Sequence, residues 1–219
     1  MKHRSNSNSL IFLLLCLSLL VVPGYSPGLE ETQGTDEKVR SFLESMRYRW
    51  RDMNISRADG EVLFDLIIKN NYKKALEIGT STGHSAIWIA WALSKTGGKL
   101  ITVEINEYRY KNALENFKEA GLSNYIDARL ADAHELVPKL KGPFDFVFVD
   151  ADKNWYKNYL KLLLPKLEVD GCFTAHNVSS RRMRGIREFI EYLRSLPNME
   201  TTIDRSSWSG ISISYKKSD

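Results

Sequence analysis

Cysteine is nearly missing from this chain, with two in 219 residues. Cys16 lies in an apolar N-terminal run, so loss of that run would leave Cys172 as the only thiol. A single thiol excludes an intrachain disulfide and a thiolate metal cluster. Long apolar runs are missing too: the longest, residues 10–22, falls short of the roughly 20 residues that a membrane-spanning helix needs. Charge of one sign is scarce. Lys and Arg number 31 against 27 Asp and Glu, and the net +4 is scattered along the chain. That gives no electrostatic footprint for nucleic acid. Internal repeats and low-complexity tracts are absent beyond the N-terminus. So is a Gly-x-Gly-x-x-Gly loop, which disfavours a nicotinamide dehydrogenase.

What is present is the composition of an ordinary globular chain, 43% hydrophobic and 26% charged, and a length suited to one sizeable domain. The first residues stand apart. Lys2, His3 and Arg4 form a basic start, the apolar run follows, and Pro23, Gly24, Ser26, Pro27 and Gly28 break it. This is the layout of a secretory signal peptide, with cleavage after Gly24 and export to the periplasm or medium; the alternative is an uncleaved membrane anchor. Residues 25–36 are polar and acidic and read as a flexible linker, which leaves 37–219 as the folded domain.

Within that domain, Val39, Phe42, Leu43, Met46 and Trp50 recur at helical spacing. Ser56 and Asp59 suggest a weak capping box at the start of a second helix, whose buried face carries Leu63, Leu66 and Ile67. Strand-like runs then alternate with helical ones. Strands are predicted at 74–79, 100–105, 126–130, 144–150, 171–175, 200–203 and 211–215. Helices are predicted at 83–94, 107–120, 133–140, 155–164 and 183–195. Such alternation implies an α/β fold with a doubly wound, mostly parallel, seven-stranded sheet. The last two strands have no helix between them and are expected to form an antiparallel hairpin at one edge.

The densest signal is Ala75-Leu-Glu-Ile-Gly-Thr-Ser-Thr-Gly-His-Ser85. An apolar strand turns on glycine into a helix, a geometry that brings backbone N–H groups close to a ligand. Glu104 closes the next apolar run, about 20 residues on, where such folds bind ribose hydroxyls. In open α/β sheets ligands bind beyond the carboxyl ends of the strands. The polar residues that fall there are Glu77, Gly79, Glu104, Asp132, Asp150, Asp152, Lys153, His176 and Asn177.

Taken in order, these residues resemble the class I S-adenosylmethionine-dependent O-methyltransferases, in particular the cation-dependent catechol and caffeoyl-CoA O-methyltransferases. The resemblance covers about residues 42–217 and rests on Met53-Asn-Ile-Ser56, Leu76-Glu-Ile-Gly-Thr80, Gly83-His-Ser85, Glu104, Ala131-Asp-Ala133 and Phe148-Val-Asp-Ala-Asp-Lys153. It implies that Glu77, Gly79 and Ser85 hold the amino-acid end of S-adenosylmethionine. It puts Glu104 on both ribose hydroxyls and Asp132 and Ala133 beside the adenine. Asp150, Asp152 and Tyr159, with the backbone of Ile55, would line the methionine side. Lys153 and Asp150 fall on catalytic positions, and Asp150, His176 and Asn177 on metal-ligand positions. The implied reaction moves a methyl group to a hydroxyl of a small catechol- or phenol-like acceptor. A divalent cation (Mg²⁺, Mn²⁺ or Zn²⁺) would lower the hydroxyl's pKa, and Lys153 would take its proton.

Two departures qualify this. The family pattern has Asp-Asn after the fifth strand where this chain has His176-Asn177, which removes one negative charge and favours softer metals than Mg²⁺. His176 can thus be a ligand of altered preference, a base or substrate contact in a metal-independent methyltransferase, or a structural residue in a non-catalytic S-adenosylmethionine-binding module. An insertion expected after that pair is also missing, so the acceptor pocket should be open; arginines 181, 182 and 184 stand in the short link. Both the resemblance and the apolar N-terminal helix are compatible with a homodimer.

Overall fold

The computed structural model describes residues 27–50, 52–180 and 182–219, with side chains from residue 34 onward. The signal or anchor segment, residues 1–24, lies outside the described residues. Among the described residues, seven strands form one sheet in the order β3-β2-β1-β4-β5-β7-β6. Strands β1 (Lys74–Ile78), β2 (Lys99–Glu104), β3 (Ile126–Leu130), β4 (Phe144–Val149) and β5 (Leu167–His176) run parallel. Strand β7 (Ile211–Lys216) runs antiparallel between β5 and β6 (Met199–Asp204). The expected architecture is present, and β6 is the outermost strand of the C-terminal hairpin.

Helices α1 (Pro27–Ser45), α2 (Arg57–Asn70), α3 (His84–Thr96) and α4 (Glu107–Glu119) cover one face, and α5 (Ala133–Leu136), α6 (Tyr156–Leu163) and α7 (Arg184–Ser195) the other. Strand β4 shows how its sequence divides between the two layers. Successive side chains of a strand point to opposite faces. Phe146 and Phe148 therefore pack with the α1–α4 layer, and Val147 and Val149 with the α5–α7 layer. A central strand buried on both sides needs this unbroken apolar run.

Three expectations need correction. The segment 25–36 was expected to be a linker, but from Pro27 on it belongs to α1. The Asp36 carboxylate accepts from Trp91 Nε1 at 2.7 Å and from Lys95 Nζ. This ties the helix to α3 upstream of the apolar stripe that starts at Val39. The helix predicted at 133–140 ends at Leu136 and continues as a 3₁₀ turn, Val137–Lys139. Pro138, which has no N–H to donate, interrupts the α-helical ladder there. Strand β5 starts at Leu167, ahead of the predicted 171. Its register against β4 shifts between Phe144 and Phe146, and Asp170 takes a positive φ of 64°. That irregularity masks the strand in a pattern of alternating residues.

Candidate active site

The chain leaves β1 through Gly79, whose φ of 98° falls in the left-handed region. A Cβ at this position would stand 2.7 Å from the Asp150 carbonyl oxygen, so glycine is required by both conformation and space. The Gly79 N–H and the Thr80 N–H donate to Val103 O at 3.0 and 3.2 Å, fixing the turn against β2. Beside it, where β1 and β4 send their following helices to opposite faces, lies a cavity of about 510 Å³. This size suits a cofactor.

The cavity is lined by Gly79, Ser81, Glu104, Ile105, Asp132, Ala133 and His134. Glu104 is buried, and each carboxylate oxygen accepts one backbone N–H: Oε2 from Ser81 at 2.7 Å and Oε1 from Asn106 at 2.9 Å. Each oxygen keeps a second lone pair, and the held carboxylate can accept from two vicinal hydroxyls. Asp132 caps α5, its Oδ1 accepting from His134 N at 2.8 Å. The His134 ring stacks on Trp155 with centroids 4.0 Å apart.

The same cavity is lined by Asp150, Asp152, Lys153, Tyr159, His176, Asn177 and Ser209. Lys153 Nζ donates to Asp150 Oδ1 at 2.6 Å. His176 Nδ1 lies 2.9 Å from Asp150 Oδ2, and its Nε2 lies 3.2 Å from Asp59 Oδ2. Burial works to lower the pKa of His176, but hydrogen bonds to Asp150 and Asp59 outweigh it and raise the ring to about 9. Burial likewise works to raise that of Asp59, but hydrogen bonds from His176, Ser207 and Ser56 bring it down to about 2.

Three of the residues singled out in the sequence do not line the cavity. Ile55 is buried, and its carbonyl oxygen accepts from His84 Nδ1 at 3.0 Å. Glu77 is 0% exposed and turns toward its register partner Thr102 on β2, whose hydroxyl donates to Oε2; Oε1 has no partner. Burial raises the Glu77 carboxyl to about 7, against the pull of the Ser85 and Thr102 hydroxyls. Ser85 is buried beside it.

The sequence matches the O-methyltransferase family pattern over residues 32–181. The chain belongs to that family. It is similar to caffeoyl-CoA O-methyltransferase 1 of Eucalyptus globulus, 33% identical over 159 residues that cover 68% of this chain and 64% of the relative. Caffeoyl-CoA O-methyltransferase 1 of Arabidopsis thaliana is 36% identical over 171 residues, covering 72% of this chain and 66% of the relative. The chain thus spans just under two thirds of the length of these plant relatives. Among solved structures, the O-methyltransferase TomG from Streptomyces achromogenes, in complex with SAM, superposes with a TM-score of 0.72 at 25% identity, covering 84% of this chain and 91% of that one. An O-methyltransferase from Bacillus cereus, in complex with SAH, gives 0.70 at 25% identity, covering 90% and 94%.

As an O-methyltransferase family member the chain has an unusual donor set at the implied metal position. Asp150 has one oxygen on Lys153 and the other on His176, and both His176 nitrogens face carboxylate oxygens. A metal-ligating imidazole must present a bare nitrogen lone pair. Among the described residues no group of three His, Cys, Asp or Glu side chains is arranged to hold a cation. As they stand, His176 and Asp150 offer a divalent ion no free pair of donors.

Arg109 and Asp52 carry no signal in the sequence. Arg109 lines the cavity and makes a bidentate pair with Asp52, at 2.7 and 3.0 Å. Asn54 donates to Thr82 Oγ1 at 2.9 Å. Together these bonds hold the loop before α2, whose Met53 and Asn54 line the cavity. Trp208, which falls near the final turn, is 101% exposed and does not line the cavity; its neighbour Ser209 does.

Proposed function

We propose that this chain transfers the methyl group of S-adenosylmethionine to a hydroxyl of a small catechol- or phenol-like acceptor. One observation carries the reading: a single cavity is lined both by Glu104 and Asp132, suited to a nucleoside, and by Asp150, Lys153 and His176. The family relatives named for caffeoyl-CoA and those solved with SAM or SAH support the cofactor and the acceptor class.

In the reaction the acceptor oxygen attacks the methyl carbon in line. An O–CH₃ bond forms, the S–CH₃ bond breaks, and its electron pair stays on sulfur, which becomes a neutral thioether. The hydroxyl proton must leave. Lys153, as the free amine, is placed to accept it, and Asp150 at 2.6 Å holds the resulting ammonium. General base catalysis is worth about 10²–10⁴ in rate. Lys153→Met should therefore lower kcat by about 100-fold while leaving S-adenosylmethionine affinity within about twofold. Unchanged kcat would remove Lys153 as the base.

We further infer that residues 1–24 direct export. The basic start, the apolar run and the Pro-Gly break support this. N-terminal sequencing of the chain recovered from its native cell fraction should begin at residue 25; an intact Met1 in the cytosolic fraction contradicts it.

A further inference from the structure

Asp59 has a second role beyond capping α2. Its Oδ2 closes the capping box with Ser56, accepting from the Ser56 N–H at 3.1 Å and the Ser56 hydroxyl at 2.7 Å. The same oxygen faces His176 Nε2 at 3.2 Å, and Oδ1 accepts from Ser207 Oγ. Asp59 is 1% exposed and His176 4%. A buried carboxylate with this many donors belongs to a built site, and it draws together the start of α2, the ends of β4 and β5 and the loop before β7.

The hydrogen-bond chemistry defines the state of the ring. An ionised carboxylate has no hydrogen to donate. Each His176 nitrogen lies within hydrogen-bond reach of such an oxygen, Asp150 on one side and Asp59 on the other. Where both carboxylates are ionised, both nitrogens carry hydrogen and the ring is an imidazolium. The cluster reads Asp59(−), His176(+), Asp150(−), with the Lys153 amine donating to the other Asp150 oxygen. Buried charges persist when they are paired and hydrogen-bonded in this way.

We propose that His176, clamped between Asp59 and Asp150, is the resident cation of the methyl-transfer site in place of a divalent metal, and that Asp59 is the positioning residue that keeps it there. The inference rests on the methyltransferase reading above. It makes the activity independent of added metal, because the space between the two carboxylates is already filled by a positive group. Asp150 is thereby held between His176 and Lys153 in one orientation, which aims Lys153 into the cavity. Removing the Asp59 charge frees one ring nitrogen and lets the His176 ring, and with it Asp150, move. A misplacement of this kind costs about 100-fold in rate.

The test uses the full chain labelled with ¹⁵N-histidine. At pH 7 the His176 signals, assigned by their loss in His176→Gln, should show two protonated nitrogens. Asp59→Asn should convert them to the pattern of a neutral ring and lower kcat about 100-fold, with S-adenosylmethionine affinity within about twofold. Ser207→Ala, a milder change at the same carboxylate, should lower kcat in the same direction. Wild-type activity should survive EDTA and show no rise with Mg²⁺, Mn²⁺ or Zn²⁺, and calorimetry with each metal alone should show no stoichiometric site. A neutral His176 ring in the wild type, or loss of activity in EDTA with recovery on Mn²⁺ or Zn²⁺, overturns the proposal. Failure of the wild type to bind S-adenosylmethionine overturns the methyltransferase reading instead, and is told apart by the calorimetric arm.

Discussion

Glu77 shows how far a single residue can be read from its place in the chain. Its position at the end of an apolar run marks the turn, and the turn is there. Its role as a direct cofactor contact does not follow, because the side chain faces Thr102 inside the sheet and not the cavity. Burial lifts its carboxyl from 4.5 to about 7. Between these values the folded state binds more proton than the unfolded one, so stability falls as pH rises from 4.5 to 7. The loss amounts to about 3 kcal/mol once the group is ionised in both states. Glu77→Gln carries no such charge. In urea titrations of the cofactor-free protein, its advantage over wild type should grow between pH 4.5 and 8; an equal gap at both ends would refute the assignment. Asp59 is the opposite case. The sequence offers it as a capping residue only, and its contacts with His176 and Ser207 join positions that nothing in the chain order brings together.

At the level of elements, the strands were legible wherever pattern and burial agree. The β4 run of Phe and Val is one example, and the alternation of strand and helix from β1 to α7 is another. Legibility failed where tertiary contacts override local pattern. Helix α1 extends upstream of its apolar stripe and is tied there by Asp36 bonding to Trp91 and Lys95, a contact with a distant helix. The packing of α2 on α3 turns on Gly60. A Cβ there would lie 2.3 Å from the Trp88 ring, which is itself buried and bonded to His84 Nε2 at 3.1 Å. Overpacking of this sort costs about 1–3 kcal/mol. Gly60→Ala should lose that much in chemical denaturation, and because Asp59 is the adjacent residue, kcat should fall with it. Wild-type stability in the variant would mean that α2 and α3 separate freely, which the contact does not allow.

The whole molecule places one cavity at the carboxyl ends of its central strands, and the loop carrying Asp52 and Asn54 borders it. The fold class, the family and the cavity's position were open to sequence reasoning because glycine turns and strand-end acids have few alternative uses. The Asp52–Arg109 pair was not, because both are ordinary surface residues until the fold brings them together. The account stands on nucleoside binding at Glu104. The measurement that tests it most directly is calorimetric titration of S-adenosylmethionine into wild type and Glu104→Ala. A single saturable site is expected in the wild type, weakened about 10- to 100-fold in the variant by loss of a charge-assisted pair of hydrogen bonds. Absence of binding to the wild type, or equal affinity in both proteins, would contradict the account.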